Sequence, residues 1–330
     1  MNSQDNNMKC GNGGCSKPAA PADSASLRRC SRCRRAAYCS RECQTAAWPA
    51  HKGGCVRPNY IVKFHLAPAE ITGPAVTRTL SCPANAVFYM LHMALQTAFG
   101  WATTHSFDFA VLDPDYREPD NIMDVMSRQM AARHPSGMGL SASAPREYMF
   151  RVVDPVEQTV FSGIDRMHEG IRCHPRTAEK KADSYKLWQL FDDEQYQDHQ
   201  ILYTYDFGDN WEHHLTVMGR ANPTTSFVCL DGSGHGVAED CAGVNGWQEL
   251  KAAYRAKKPS EKQLERRRWL ETQASNADPR GLAGDRVHAW DRDKVNRDLD
   301  SEKMFDRFER MGDAAAAFQD RAATTYRLGK

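Results

Sequence analysis

The chain has 330 residues with 43 Lys and Arg against 42 Asp and Glu, a formal net charge of +1. That balance excludes a global electrostatic case for nucleic acid or a membrane surface. The length suits a small module plus one or two further domains. No run of about twenty apolar residues offers a membrane span, and no amino-terminal secretory pattern is present.

In chain order, residues 1–9 are polar, and disorder is expected there. Seven of the eleven cysteines follow between Cys10 and Cys55, joined by His51. They come as close pairs: Cys10 and Cys15, Cys30 and Cys33, Cys39 and Cys43, His51 and Cys55. A pair so spaced can put two ligands on one metal, and four-apart pairs share a helix face. Zinc takes four sulfur or nitrogen ligands in structural sites, so eight ligands imply two zinc ions. The alternative is a disulfide framework; the short spacings and the histidine favour metal. A reducing compartment fits both the zinc box and the scattered Cys82, Cys173, Cys229 and Cys241, so an intracellular location is expected, with nucleus and cytoplasm undivided. The same segment carries Arg28, Arg29, Arg32, Arg34, Arg35 and Arg41. Such a patch can contact phosphates, form a solvated face, or offset the thiolate charge.

Tyr38-Cys39-Ser40, Cys43-Gln44, Trp48, His51-Lys52 and Cys55 resemble the MYND zinc finger. In that family the pairs interleave. The resemblance therefore implies Cys10, Cys15, Cys39 and Cys43 on one zinc, and Cys30, Cys33, His51 and Cys55 on the other. It departs from the family in the wide first pair, which encloses Gly11-Asn12-Gly13-Gly14, and in the long loop before Cys30. The family is an interaction module, commonly for proline-containing peptides, and exposed Trp48 and Tyr38 would suit an extended ligand. A finger this small cannot fold on buried apolar surface alone, so metal would supply its folding free energy.

After a hinge at Arg57-Pro58-Asn59, alternation predicts a strand over Tyr60–Leu66 and a second over Val76–Leu80, a hairpin. Apolar residues at helical spacing predict a helix over Ala84–Phe99, closed by Gly100. A strand over His105–Val111 follows. Residues 113–139 read as loop with a short helix over Met123–Met130, within a long insertion at about 113–200. A strand is predicted at Tyr148–Val153 and a helical turn at Leu187–Phe191, with 163–181 unassigned. Ile201–Tyr205 and Trp211–Val217 frame the clearest hairpin, turning at Asp206–Asn210. A short strand at Phe227–Leu230 precedes a flexible loop over Asp231–Gly236. Helices are predicted from Gly246 to about Lys257, over Pro259–Ala274 and over Asp291–Met311. Residues 312–330 form an Ala-rich tail.

Three stretches resemble a second family, the plasmid pRiA ORF-three-like domain, also described as an insertion-sequence passenger protein. They are Gln96–Trp101 with His105 and Phe107; Tyr203–His213; and Glu239-Asp240-Cys241 with Gly243, Gly246 and Trp247. The resemblance spans about 59–311 and implies a compact fold with no assigned activity. Val237-Ala238 and Ala242 depart from its pattern. The expected fold class is α+β, a two-zinc finger followed by a larger mixed α+β domain with antiparallel hairpins.

Asp206, Asp209, His213 and Glu239, with Asp240 and His105, are the candidate residues for a metal-assisted hydrolytic site, since carboxylates and histidine can bind a divalent ion and activate water. The same residues suit a tight turn, a helix cap at Glu239-Asp240, packing at His105, or a cleft for a peptide or small ligand. Asp-Phe-Gly stands without kinase companions, and no phosphate-cradling loop, Gly-x-Ser-x-Gly elbow or methyltransferase motif is found. The primary expectation is an adaptor binding a protein or proline-containing peptide, with the hydrolase and a nucleic-acid-associated regulator as rivals.

Overall fold

The computed structural model describes residues 9–16, 27–67, 71–117, 146–154 and 177–300, with Asn121, Met123, Met126 and His174 besides. The predicted helix over 123–130, the predicted tails and Cys173 fall largely or wholly outside the described residues. The chain divides into two units, Met1–Asn59 with Arg220–Thr224, and Tyr60–Gly219 with Thr225–Lys330.

In the first unit, strands β1 (Arg28–Arg29) and β2 (Ala37–Tyr38) pair antiparallel. The turn between them closes through Cys30 N to Ala36 O at 2.7 Å and Arg34 N to Cys30 O at 2.8 Å, with Arg34 at φ 55°. Helix α1 (Arg41–His51) begins at Ser40, whose hydroxyl accepts the Cys43 N–H. That cap satisfies one of the helix's orphan donors, and Glu42 in the first turn complements its dipole. A single 3₁₀ turn, Lys52–Gly54, carries the chain to Cys55.

The second unit is a mixed α+β body. Its strands are β3 (Asn59–Leu66), β4 (Thr77–Cys82), β5 (Phe107–Leu112), β6 (Tyr148–Val153), β7 (Ala178–Lys181), β8 (Ile201–Tyr205), β9 (Trp211–Ala221) and β10 (Val228–Ser233). They form one sheet in the order β10-β4-β3-β9-β8-β5-β6-β7. The β3–β4 and β8–β9 hairpins are antiparallel, as their alternation predicts, and β6–β7 is parallel.

One sheet face packs on helix α2 (Phe88–Phe99). Nine of its twelve residues are buried, which is what a helix apolar nearly all round requires. Tyr60, Val62 and Phe64 of β3, Phe107 and Phe109 of β5, and Tyr203 and Tyr205 of β8 supply the facing layer at every second position. Gly100 ends α2 in the left-handed conformation at φ 78°, where a glycine carries no Cβ penalty. The helix starts at Phe88 rather than Ala84. The carbonyls of Ala84 and Ala86 accept N–H groups from Trp188 and Leu187, and the Phe88 and Tyr89 N–H groups bond Tyr185 O and Ala182 O. Backbone pairing thus takes the first residues of the predicted helix.

Among the described residues the body has four further α-helices, α3 (Leu187–Phe191), α4 (Gly243–Arg255), α5 (Glu261–Thr272) and α6 (Arg292–Asp298), and a 3₁₀ turn at Gly284–His288. Two readings change. The unassigned stretch before Lys181 contains β7, and the first half of the predicted flexible loop is the end of β10. Gly232 sits so close to Trp290 and the Thr77 carbonyl that a Cβ there would stand 2.8 Å from both. That approach makes the glycine a packing residue.

Candidate functional site

The finger brings the eight predicted ligands into two groups of four. Cys10, Cys15, Cys39 and Cys43 form one, and Cys30, Cys33, His51 and Cys55 the other, with donor atoms within 4.8 Å of one another in each. The pairs interleave along the chain. Within the first group Cys15 Sγ lies 3.6 Å from Cys39 Sγ, and Cys39 Sγ 3.5 Å from Cys43 Sγ. Within the second, Cys30 Sγ lies 3.7 Å from Cys55 Sγ, and Cys33 Sγ 3.5 Å from His51 Nε2. Tetrahedral zinc with bonds of about 2.3 Å to sulfur and about 2.0 Å to nitrogen sets its ligands roughly 3.5–3.8 Å apart. A disulfide would need about 2.05 Å. The two groups fit two zinc ions.

Local structure explains the placement. The β1–β2 turn presents Cys30 and Cys33, the ends of α1 present Cys39 with Cys43 and His51 with Cys55, and the segment ahead of β1 brings Cys10 and Cys15. Only one member of each four-apart pair lies within the helix, because Ser40 caps α1 after Cys39 and the 3₁₀ turn intervenes before Cys55. Tyr38 is buried at 1% exposure, with its ring edge-on to His51 at 5.9 Å. It is therefore part of the finger's core and not a docking residue. Trp48 is 40% exposed, and its ring lies edge-on to the same imidazole at 5.9 Å. Gly11 lies against Tyr38, where a Cβ would approach the ring to 3.1 Å. The six arginines of the segment are all exposed.

In the body, the candidate residues separate. His213 is buried among aromatic rings, 4.7 Å from Phe99 and 5.2 Å from Tyr203 between centroids. Its Nδ1 lies 3.2 Å from the Tyr203 carbonyl, and burial lowers its pKa to about 3. Glu239 is also fully buried, but it serves as a tie. It accepts from the Tyr205 hydroxyl and from Ala102 N at 2.9 Å, while its own N–H donates to Asn276 Oδ1. The Tyr205 hydroxyl in turn accepts from Thr104 N at 3.0 Å. Neither Glu239 nor Asp240 caps α4, whose N-cap is Ala242.

Asp206 and Asp240 instead converge on His105. Its Nε2 lies 3.7 Å from Asp206 Oδ2 and 3.0 Å from Asp240 Oδ1. These three residues form the third cluster of metal-capable side chains among the described residues. Burial raises the Asp206 carboxyl above its ordinary pKa, against the lowering influence of His105. Burial likewise raises Asp209, offset in part by the backbone N–H groups of Gly243 and Ala242. Tyr205 and Ser275, which hold this arrangement, were not singled out from sequence. Tyr205 lies inside the motif already quoted, whereas Ser275 carries no sequence signal.

Comparison with known proteins agrees with this division. A family profile described as plasmid pRiA4b ORF-3-like protein matches residues 60–298, and a MYND finger profile matches residues 7–55. An uncharacterized protein, y4hQ, of Sinorhizobium fredii (strain NBRC 101917 / NGR234) is 24% identical over 180 residues, 54% of this chain and 64% of its own length. The chain thus spans just under two thirds of that relative. A crystal structure of a protein of unknown function from Methanosarcina mazei Go1 has a TM-score of 0.44 at 19% identity, covering 72% of this chain and 96% of the other. No helix among the described residues is long and apolar enough to cross a membrane.

Proposed function

The chain belongs to the plasmid pRiA4b ORF-3-like family and carries a MYND finger ahead of that domain, and from this premise we propose that it is a zinc-dependent adaptor. In this reading the finger, Cys10–Cys55, holds two zinc ions through its two ligand groups and recruits a partner protein through a proline-containing segment. The α+β domain, from about residue 59 to 311, supplies the scaffold. The observation that carries the proposal is the metal-ready finger with one large aromatic, Trp48, left exposed beside a ligand histidine. A proline ring packs on an exposed indole, and an extended segment arrives with little entropy to lose.

The test is binding of short proline-containing peptides to the zinc-loaded full chain, followed by fluorescence anisotropy. Trp48→Ala should weaken binding roughly tenfold or more, as for a buried aromatic anchor. Failure of every such peptide to bind, or binding indifferent to Trp48→Ala, would remove the peptide reading.

A second reading rests on the six exposed arginines. If they contact phosphates, affinity for DNA or RNA would fall steeply with salt, with a log–log slope near the number of contacts. A flat salt dependence excludes it.

A further inference from the structure

We propose that His105, Asp206 and Asp240 form a metal site separate from the finger, taking one divalent transition-metal cation through an imidazole nitrogen and two carboxylate oxygens. The three residues come from the segment after α2, the β8–β9 turn and the loop before α4. Their donor atoms meet within 4.8 Å.

Each carboxylate commits one oxygen to the protein and turns the other to the same point. Asp206 Oδ1 accepts the N–H groups of Gly208 and Asp209, at 2.9 and 3.2 Å, leaving Oδ2 towards His105 Nε2. Asp240 Oδ2 accepts the Ser275 hydroxyl at 2.8 Å, leaving Oδ1 towards the same nitrogen. Ligands at about 2.1 Å from an octahedral ion stand roughly 3.0 Å apart when adjacent and about 4.2 Å apart when opposite. The 3.0 and 3.7 Å separations lie in that interval.

Outer contacts of the kind that orient metal ligands are present. Glu239 binds the Tyr205 hydroxyl and Ala102 N, tying the loop that bears His105 to the loop that bears Asp240. Glu239 is thereby a positioning residue and not a ligand.

Charge points the same way. Among the described residues, His105 is the one basic side chain within ion-pair distance of Asp206 or Asp240, and it is charged only when protonated. A third carboxylate, Asp209, adds its field to the group and interacts electrostatically with both Asp240 and His105. Its Oδ2 is buried with no hydrogen-bond partner. Partly desolvated carboxylates facing one imidazole call for a further positive charge. The imidazole among the donors suits Zn²⁺ or Fe²⁺, and the two carboxylates beside it also admit Mn²⁺. Three protein ligands leave positions open to water, as in catalytic rather than structural centres.

The test uses the full chain with its finger zinc-loaded, titrated with Mn²⁺ while the free-ion electron paramagnetic resonance signal is followed. The expected result is uptake of one Mn²⁺ per chain with zinc content unchanged. His105→Gln and Asp240→Asn should each weaken uptake by roughly tenfold or more. Asp206 is buried, so the half-exposed Asp240 carries the test, and a thermal melt matching the parent shows that the variant folds. A full chain that leaves the Mn²⁺ signal intact would make the cluster an ion pair only and overturn the proposal. Uptake that survives both substitutions would overturn it equally.

Discussion

The side chain of Asn296 pairs with the backbone of Cys229 as a neighbouring strand would. Its Oδ1 accepts the Cys229 N–H at 2.7 Å, and its Nδ2 donates to the Cys229 carbonyl at 2.9 Å. Cys229 lies in β10, an edge of the sheet, with Val228 and Leu230 exposed on either side of it. An open edge of that composition is a template for another chain, and helix α6 packs beside it, with this amide occupying the Cys229 backbone groups.

Asn296→Ala should therefore have two effects. It removes two hydrogen bonds at a part-buried site, a loss of about 1–3 kcal/mol. It also frees the Cys229 N–H and C=O on the β10 edge, so the variant should associate with rising concentration. Urea unfolding and light scattering read the two effects separately. An unchanged urea midpoint would contradict the first, and a monomer at all concentrations the second.

Arg78 is a buried cation held by carbonyl oxygens. Its guanidinium donates to Ala98 O, Thr77 O, Ser233 O and Gly234 O at 2.6–3.1 Å, between Phe99 and Trp290. Burial lowers its pKa to about 10. Ala98 lies in the last turn of α2, so the charge also meets the negative end of a helix dipole. Arg78→Ala strands several buried acceptors and should cost about 3 kcal/mol or more by chemical unfolding. Arg78→Lys presents fewer donors without the planar fork and should recover only part of that loss. Full recovery by lysine would show that charge alone matters at this position.

His213 makes stability depend on pH. Its folded pKa is about 3, against about 6.5 in the unfolded chain. The unfolded state therefore binds the extra proton between those values, and stability falls as pH drops below about 6.5, by up to roughly 1.4 kcal/mol per pH unit from this group. Above that pH the contribution is constant. His213→Phe keeps the aromatic packing and should flatten the fall between pH 7 and pH 5. An unchanged slope would place the acid sensitivity elsewhere.

The legibility of these features in the sequence follows how local their causes are. The ligands of the finger are written as close pairs, and the β8–β9 hairpin as alternation around a turn, so both are visible. Strand β7 reads Ala-Glu-Lys-Lys with every residue exposed, and among the described residues it pairs with β6 alone, at the edge of the sheet. An edge strand without an apolar face leaves no periodic signal. The convergence of His105, Asp206 and Asp240 is equally silent, since it depends on loops far apart in the chain. Sequence grouped His213 with the carboxylates because it follows the turn. The strand's alternation, which aims His213 and Trp211 together into the core, was legible but could not say which face is buried. Tyr38 failed as a docking residue for the same reason.

The two interleaved ligand groups of the finger fit two zinc ions. The most direct measurement titrates the full chain with a thiol-modifying reagent in the presence of a chromophoric zinc indicator. Zinc at oxygen-rich sites reacts with the indicator before any thiol is modified, whereas thiolate-bound zinc is released only as thiols are lost. Two zinc ions per chain are expected to be released as the finger thiols react, with the finger unfolding as they leave. No thiol-linked zinc, or cysteines already joined as disulfides, would contradict this fit.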